Sequence, residues 1–150
     1  MARALIVGCG CRGRQLGEAL LAAGWAVRGS SRREDGLAAI EAAGIEPALA
    51  DPDRPGTILE LVEDVAVLVL LLGGARGTAE ELAAIHGSRL ERLMEHLVET
   101  PLRGVVYEGT EDGAAVVRAA ARTWCIRVET VTEHDDLVAA VRGMLAGQRT

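Results

Sequence analysis

Three glycines with the spacing Gly8-x-Gly10-x-x-Gly13 constrain this chain most, because a strand signal precedes them and a helix signal follows them. The strand signal is the short apolar run Ala4–Val7. The helix signal is an apolar repeat at helical spacing, formed by Leu16, Ala19, Leu20 and Ala23. A glycine loop between a strand and a helix favours an α/β fold.

The rest of the chain alternates strand and helix signals. Further strands are predicted at Trp25–Gly29, Ile45–Ala50, Val65–Leu72, Val105–Tyr107 and Ile126–Val131. Further helices are predicted at Arg33–Ala43, Thr57–Glu63, Thr78–Val98, Gly113–Trp124 and His134–Leu145, with a bend at Gly87 left open. The uninterrupted aliphatic run Val65–Leu72 is typical of a strand buried on both faces of a parallel sheet.

Strands that alternate with helices predict parallel pairing through right-handed crossovers. We therefore expect an α/β fold of three layers, a doubly wound parallel sheet with the strand order 3-2-1-4-5-6 of the Rossmann type. A flavodoxin-like order is the alternative, although it does not need the glycine spacing. One domain over residues 1–150 accommodates all six predicted strands.

Charge, hydropathy and cysteine content exclude several classes of ligand and location. The 16 basic and 22 acidic side chains give a formal net charge of −6, which argues against binding to nucleic acid or an anionic membrane surface. The longest apolar run is far shorter than the roughly 20 residues that cross a bilayer. Cys9, Cys11 and Cys125 lack partners at metal-ligand spacing, so we expect no metal site and a reducing, cytoplasmic location.

The glycine loop predicts a binding site for a dinucleotide. Gly8 would allow the tight turn, Gly10 the approach of the pyrophosphate, and Gly13 the close packing of helix on strand. The pyrophosphate would lie against free N–H groups at the helix start, where Cys11 and Arg12 complete the loop. A glycine-rich turn in an unrelated α/β domain is the alternative.

The residues after the second predicted strand indicate which dinucleotide binds. An NAD-binding loop usually carries an acidic residue there, whereas this chain has Ser30, Ser31, Arg32 and Arg33. Hydroxyl and guanidinium groups donate to phosphate, so the loop predicts NADP, with NAD as the alternative. A solvated helix start remains the structural alternative for the arginines. Asp51 either accepts from the adenine amino group or starts an Asp-Pro turn.

Small residues follow the fourth predicted strand. Leu72, Gly73 and Gly74 would lie at the crevice outside the carboxyl ends of the first and fourth strands, where ligands bind in this fold. They would let the backbone approach a ribose or a nicotinamide. They would equally serve to end a buried strand.

Four segments resemble the extended and atypical short-chain dehydrogenase/reductases, the epimerase/dehydratase-like proteins. They are Val7–Gly13, Gly24–Arg32, Asp51 at the position of that family's adenine-contacting aspartate, and Arg103–Tyr107 as the fifth strand. The resemblance implies an NAD(P)-binding Rossmann core. It also implies a homodimer that pairs through the helices Thr78–Val98 and Gly113–Trp124.

The chain departs from that family where catalysis would occur. Catalytic members carry a serine or threonine and then Tyr-x-x-x-Lys, but here Glu111 lies four residues beyond the only tyrosine, Tyr107, and the chain has no lysine. Thr110, Glu108 and His86 are the other candidates near the crevice, although His86 is also predicted as an interface residue. The catalytic residues therefore stay unassigned.

Three functions remain open for such a chain. The first is a noncatalytic NADP-binding or sensory protein, and the second is an oxidoreductase or epimerase-like enzyme with unfamiliar catalytic groups. The third is an interaction domain without a ligand, against which the intact glycine loop argues. The helix Gly113–Trp124 adds an apolar stripe that faces either a second copy or the protein's own sheet, formed by Ala114, Val117, Ala121 and Trp124.

Overall fold

The computed structural model describes residues 2–146, over which six strands and seven α-helices follow one another. The strands are β1 (Arg3–Val7), β2 (Ala26–Ser31), β3 (Glu46–Leu49), β4 (Val67–Leu71), β5 (Gly104–Glu108) and β6 (Val128–Val131). The helices are α1 (Cys11–Ala22), α2 (Leu37–Ala42), α3 (Pro55–Leu59), α4 (Ala79–Ile85), α5 (Ser88–Leu97), α6 (Glu111–Trp124) and α7 (Leu137–Ala146).

The strands form one parallel sheet with the order β3-β2-β1-β4-β5-β6, so the predicted Rossmann order is confirmed and the flavodoxin-like alternative is wrong. β1 lies between β2 and β4, which makes the pair β1/β4 the point where the strand order reverses. The carboxyl ends of these two strands open the crevice in which such sheets bind ligands.

Two apolar layers cover the sheet. On one face Leu68 and Leu70 of β4 pack with residues of α3, α4, α5 and α6. On the other face Val67 and Val69 pack with residues of α1, α2 and α7. Every residue of β4 is buried, as the uninterrupted aliphatic run predicts.

The predicted helix over 78–98 is two helices, because the chain breaks at His86 and Gly87. Gly87 has φ −124° and ψ −105°, outside the helical region. A Cβ on Gly87 would lie 2.7 Å from the Ala83 carbonyl oxygen, so this close approach requires glycine. Thr78 starts α4 with a capping box, in which its hydroxyl accepts from the Glu81 N–H.

The ends of other elements differ from the predicted ones, because local hydrogen bonds and not the apolar pattern determine where these elements begin and end. β2 continues to Ser31, and a single 3-10 turn at Glu34–Gly36 precedes α2, which begins only at Leu37. Conversely, α6 begins at Glu111, ahead of the predicted Gly113, because the Thr110 hydroxyl caps it by accepting from the Gly113 N–H at 3.0 Å.

The apolar stripe of α6 faces the protein's own sheet. Ala114 and Val117 are buried in the core, while Ala121 is half-buried and Trp124 is exposed. Only Trp124 at the end of the stripe is therefore free for pairing, and the rest of the stripe belongs to the core or its edge. None of the helices in residues 2–146 has the length and apolar character needed to cross a membrane.

Candidate functional site

The fold itself requires glycine at one motif position, Gly8, and favours it at a second, Gly13. Gly8 has φ +80°, and a Cβ there would overlap the Leu71 carbonyl oxygen of β4. A Cβ on Gly13 would lie 3.2 Å from Ile6 Cγ2, because α1 packs closely on β1. The turn and packing roles predicted for these two glycines agree with this geometry.

Gly10 is different, because nothing in the described chain requires it to be glycine. A Cβ on Gly10 would meet no atom within 4 Å, its φ is −84°, and the residue is exposed. Gly10 is also the N-cap of α1, and among residues 2–146 no side chain caps this helix. The helix start thus presents N–H groups and the positive end of its dipole to open space.

A cleft of about 680 Å³ begins at this loop. It lies above the carboxyl ends of β1, β4, β5 and β6, between α1 on one face of the sheet and α6 on the other. From the sequence-predicted set it includes the three glycines of the loop, Cys11, Arg12, Gly73 and Gly74. Leu72 is buried and does not line the cleft, although its N–H donates to the Glu108 carbonyl at 2.9 Å.

Arg12 reaches across the cleft from the first turn of α1. Its guanidinium forms an ion pair with Glu108 at the end of β5 and donates to the Thr132 carbonyl at 3.0 Å. The positive charge of Arg12 is therefore close to the helix start and is balanced by Glu108. The loop and the far strands are tied together by this one side chain.

The two serines after Gly29 lie in different surroundings. Ser30 is buried inside the sheet, and within the described residues its hydroxyl has no hydrogen-bond partner. The Ser30 hydroxyl therefore does not reach the surface where a ribose phosphate would lie, which corrects the expectation for this residue. The Ser31 hydroxyl is half-exposed, accepts from the Arg33 N–H at 3.1 Å and donates to the Arg33 carbonyl at 2.8 Å.

Arg32 lies across the carboxyl ends of β2 and β3. Its Nε is 3.6 Å from Asp51 Oδ1, and its Nη1 donates to the Arg76 carbonyl at 3.1 Å. Arg33 extends into solvent, where its Nε lies 3.8 Å from Asp35 Oδ1. Asp51 also accepts from the Asp53 N–H at 2.9 Å, the turn role that was left open for it.

Tyr107 belongs to the lining of the cleft, but its side chain is almost fully buried. It is 1% exposed, and its hydroxyl lies 2.7 Å from His86 Nδ1 and accepts from the Thr110 N–H at 3.0 Å. Burial lowers the pKa of His86 below its usual value, so the ring is neutral near pH 7. A neutral ring that carries its proton on Nε2 accepts from the Tyr107 hydroxyl, which satisfies both buried groups.

The remaining catalytic candidates are engaged as well. Glu108 pairs with Arg12, and the Thr110 hydroxyl caps α6. Cys9, in contrast, packs in the apolar core, and this burial raises the pKa of its thiol to about 11. Over residues 2–146 no group of His, Cys, Asp and Glu side chains is arranged to hold a metal ion.

Sequence reasoning missed the far wall of the cleft. Ala114 and Arg118 line it from α6, and Thr130, Thr132 and Glu133 line it from the end of β6 and the loop that follows. The spacing of four residues between Ala114 and Arg118 places both on one side of α6. This spacing on the fifth predicted helix, together with the polar residues that follow the sixth predicted strand, was the signal from which this wall could have been predicted.

Comparison with solved structures identifies the fold. The UDP-glucuronic acid 4-epimerase from Bacillus cereus in complex with UDP-glucuronic acid and NAD matches 85% of this chain and 55% of its own, with 15% identity and a TM-score of 0.68. A short-chain dehydrogenase/reductase superfamily protein from Agrobacterium tumefaciens with bound NAD matches 87% of this chain and 48% of its own, with 19% identity and a TM-score of 0.65. A dipicolinate synthase subunit from Bacillus halodurans matches 97% of this chain and 42% of its own, with 20% identity and a TM-score of 0.61.

The chain has the Rossmann fold of these proteins and spans about half of their length. The resemblance to short-chain dehydrogenases and epimerases expected from the sequence is confirmed at the level of the fold. No family model and no curated protein matches the sequence.

Proposed function

We propose that this chain binds a nicotinamide dinucleotide in the cleft, prefers NADP(H), and acts as a noncatalytic or sensory protein. The observation that carries the proposal is Gly10, which has open space above it at the uncapped start of α1. A glycine that the fold does not need is explained by a ligand that needs the space of its missing side chain.

Three groups of residues would contact the three parts of the dinucleotide: the pyrophosphate, the nicotinamide half and the adenosine half. The N–H groups at the start of α1 bind the pyrophosphate, with Gly8 and Gly13 holding the loop in position. Gly73 and Gly74 leave room above β4 for the nicotinamide half. Arg32 and Asp51 pair with each other outside the lining of this cleft, at the ends of β2 and β3, where we expect the adenosine half. The bound cofactor would supply hydride chemistry, and NAD is the alternative ligand.

The preference for NADP(H) rests on Ser31, Arg32 and Arg33. Ser31 stands where an NAD-specific loop carries its acidic residue, so no carboxylate repels a phosphate there, although the Ser31 hydroxyl already donates to the Arg33 carbonyl. Arg32 is held by Asp51 and by the Arg76 carbonyl in the loop after β4, which orders its guanidinium at the ends of β2 and β3, where we expect the adenosine ribose. A charge-assisted hydrogen bond to the 2′-phosphate contributes roughly 1.5–3 kcal/mol.

We expect wild-type protein to bind NADPH about tenfold or more tightly than NADH, because one such contact is enough for that ratio. Arg32→Ala should weaken NADPH binding and leave NADH binding nearly unchanged, while Ser31→Asp should reverse the preference by repelling the 2′-phosphate. Fluorescence titration of both reduced cofactors measures the ratio, and Arg92→Ala on the exposed side of α5 is the matched control. Equal affinities in the wild type would contradict the preference and leave Arg32 with only its contacts to Asp51 and the Arg76 carbonyl.

The proposed noncatalytic role rests on side chains around the cleft whose polar groups are already hydrogen-bonded or paired within the protein. Tyr107 belongs to the lining of the cleft, but the residue is buried and its hydroxyl is engaged by His86 and the Thr110 N–H, which supports a noncatalytic role. α6 presents Ala114 and Arg118 to the cleft, neither of which replaces the tyrosine and lysine of catalytic relatives.

We expect negligible turnover of alcohols, ketones and sugar nucleotides in the presence of NADPH or NADP. Absorbance of the reduced nicotinamide at high protein concentration, together with product analysis for epimerisation, is the measurement. Robust activity that disappears in Tyr107→Phe, in a protein that is still folded, would show that the enzyme alternative is right.

Assembly and location complete the proposal. We propose a homodimer, and its contact would have to use exposed groups such as Trp124 and Val98, since Ala114 and Val117 of the α6 stripe are buried in the core. We propose the cytoplasm as the location, because Cys9, Cys11 and Cys125 are free thiols.

A further inference from the structure

One ion pair spans the cleft, between Arg12 in the first turn of α1 and Glu108 at the end of β5. Both residues line the cleft, and only 29% of the Arg12 side chain and 15% of the Glu108 side chain are exposed. Arg12 also donates from Nη2 to the Thr132 carbonyl at 3.0 Å. One guanidinium therefore connects α1 with the ends of β5 and β6.

The charge of Arg12 lies where a helix favours an anion. Arg12 is the second residue of α1, close to the helix start, and the positive end of a helix dipole disfavours a cation there. The anion that balances Arg12 is Glu108, a group of the protein itself. A phosphate group at the start of α1 would be a second anion beside the same arginine, and its oxygens accept guanidinium N–H groups in pairs.

The charges that line the cleft oppose an anionic ligand. They belong to two guanidinium groups and three carboxylates, namely Arg12, Arg118, Glu108, Glu111 and Glu133. Glu108 is the carboxylate that takes up the charge of Arg12, and its own charge repels phosphate oxygens. Glu108 therefore lowers the affinity for an anion in two ways, by repulsion and by holding the arginine.

The other contact of Arg12 lies in the turn of residues 132–135, between β6 and α7. The Thr132 carbonyl accepts from Arg12 and from the Asp135 N–H, the latter at 3.1 Å. The Thr132 N–H donates to Asp135 Oδ2 at 2.7 Å. Without Arg12 this turn would keep only the hydrogen bonds within it, so its amides report whether the arginine is in place.

We propose that the pair of Arg12 and Glu108 is an autoinhibitory contact, in which Glu108 competes with the phosphate groups of a ligand for Arg12. Before binding, Glu108 holds Arg12 across the cleft. A phosphate group at the start of α1 takes Arg12 from Glu108, and the Thr132 carbonyl loses the guanidinium. That the phosphate belongs to a dinucleotide rests on the proposed function, whereas the competition rests on the ion pair. Binding is thereby transmitted to the turn before α7, as a sensory protein requires.

The first measurement is calorimetric titration with NADPH and with inorganic pyrophosphate, which carries phosphate groups but no nucleoside. We expect Glu108→Gln to bind both about tenfold more tightly than the wild type, because the competing charge is gone. Arg12→Gln should bind both about tenfold more weakly, because it keeps the repulsion and loses the attraction. Glu46→Gln is the matched control and should bind like the wild type, since Glu46 pairs with Arg28 and does not line the cleft.

The second measurement is hydrogen exchange of the Asp135 amide, followed by NMR. We expect exchange about threefold or more faster in Arg12→Gln without ligand than in the wild type without ligand, because the turn has lost one contact. Saturation of the wild type with NADPH or pyrophosphate should produce the same acceleration, although ligands ordinarily slow exchange near their site. Glu46→Gln should exchange like the wild type.

The two ligands separate failure of this contact from failure of the cofactor site. If pyrophosphate binds with the expected dependence on Glu108 and NADPH does not bind, the proposed function fails and the autoinhibitory contact stands. Equal affinity of the wild type and Glu108→Gln for a ligand that binds, or an Asp135 amide whose exchange is unchanged or slower at saturation, would overturn the contact even where NADPH binds. Absence of binding of both ligands by both folded proteins, as judged by circular dichroism, would overturn both proposals.

Discussion

Replacing Gly10 with valine is expected to lower the affinity for NADPH by about 100-fold or more while leaving the protein folded. The valine side chain would project into the open space where the pyrophosphate approaches the start of α1. A loss of about 3 kcal/mol of binding free energy corresponds to that factor. The fold should tolerate the change, because no atom of the described chain lies within 4 Å of the new Cβ and the backbone of Gly10 is extended.

The comparison needs a variant with the same open surroundings away from the cleft. Gly143→Ala in α7 provides it, since a Cβ there also meets nothing within 4 Å. We expect Gly143→Ala to bind NADPH like the wild type and to gain about 0.5–1 kcal/mol in stability. Calorimetric titration measures the NADPH affinity of each variant, and urea denaturation measures its free energy of unfolding. Unchanged NADPH affinity in Gly10→Val would remove the basis for the dinucleotide site.

Replacing Gly113 with alanine is expected to destabilise the protein by about 3 kcal/mol or more, which is in the range of the severe core substitutions. The added Cβ would overlap the Tyr107 hydroxyl oxygen and lie 2.5 Å from Cζ, so the ring or the start of α6 must move. Tyr107 cannot yield easily, because its hydroxyl is bonded to His86 and to the Thr110 N–H. Urea denaturation followed by circular dichroism gives the change in the free energy of unfolding.

A second substitution distinguishes a specific clash with the Tyr107 hydroxyl from a general destabilisation of α6 by any side chain at position 113. Tyr107→Phe alone should cost about 1–3 kcal/mol, because it leaves buried groups without a partner. Combined with Gly113→Ala it should cost less than the sum of the two single changes, since the atom that the new Cβ meets first is gone. Additive costs in the double variant would contradict the assigned contact.

The strand order of the sheet could be predicted from the sequence because the signals for each strand are local. A glycine loop after an apolar strand, and the aliphatic run that became β4, are enough to predict parallel strands and their order. The break between α4 and α5 was less readable, because it depends on the distance between Gly87 and the Ala83 carbonyl, which the apolar repeat does not encode.

The candidate site was readable only in part, for a similar reason. The loop residues Gly8, Gly10 and Gly13 are neighbours in sequence, and their roles follow from that spacing. The buried direction of the Ser30 hydroxyl and the contact between Arg118 and Thr130 depend on packing between elements distant in the chain. Tyr107 was a catalytic candidate by position, and the sequence did not show that its hydroxyl is buried against His86 and the Thr110 N–H.

The central claim is that this chain binds a nicotinamide dinucleotide, and calorimetric titration of the wild-type protein with NADPH and with NADH tests it most directly. We expect saturable binding of one dinucleotide per chain, tighter for NADPH, because the uncapped start of α1 and the space above Gly10 accept the pyrophosphate. Absence of saturable binding of either cofactor by the folded protein would contradict the account.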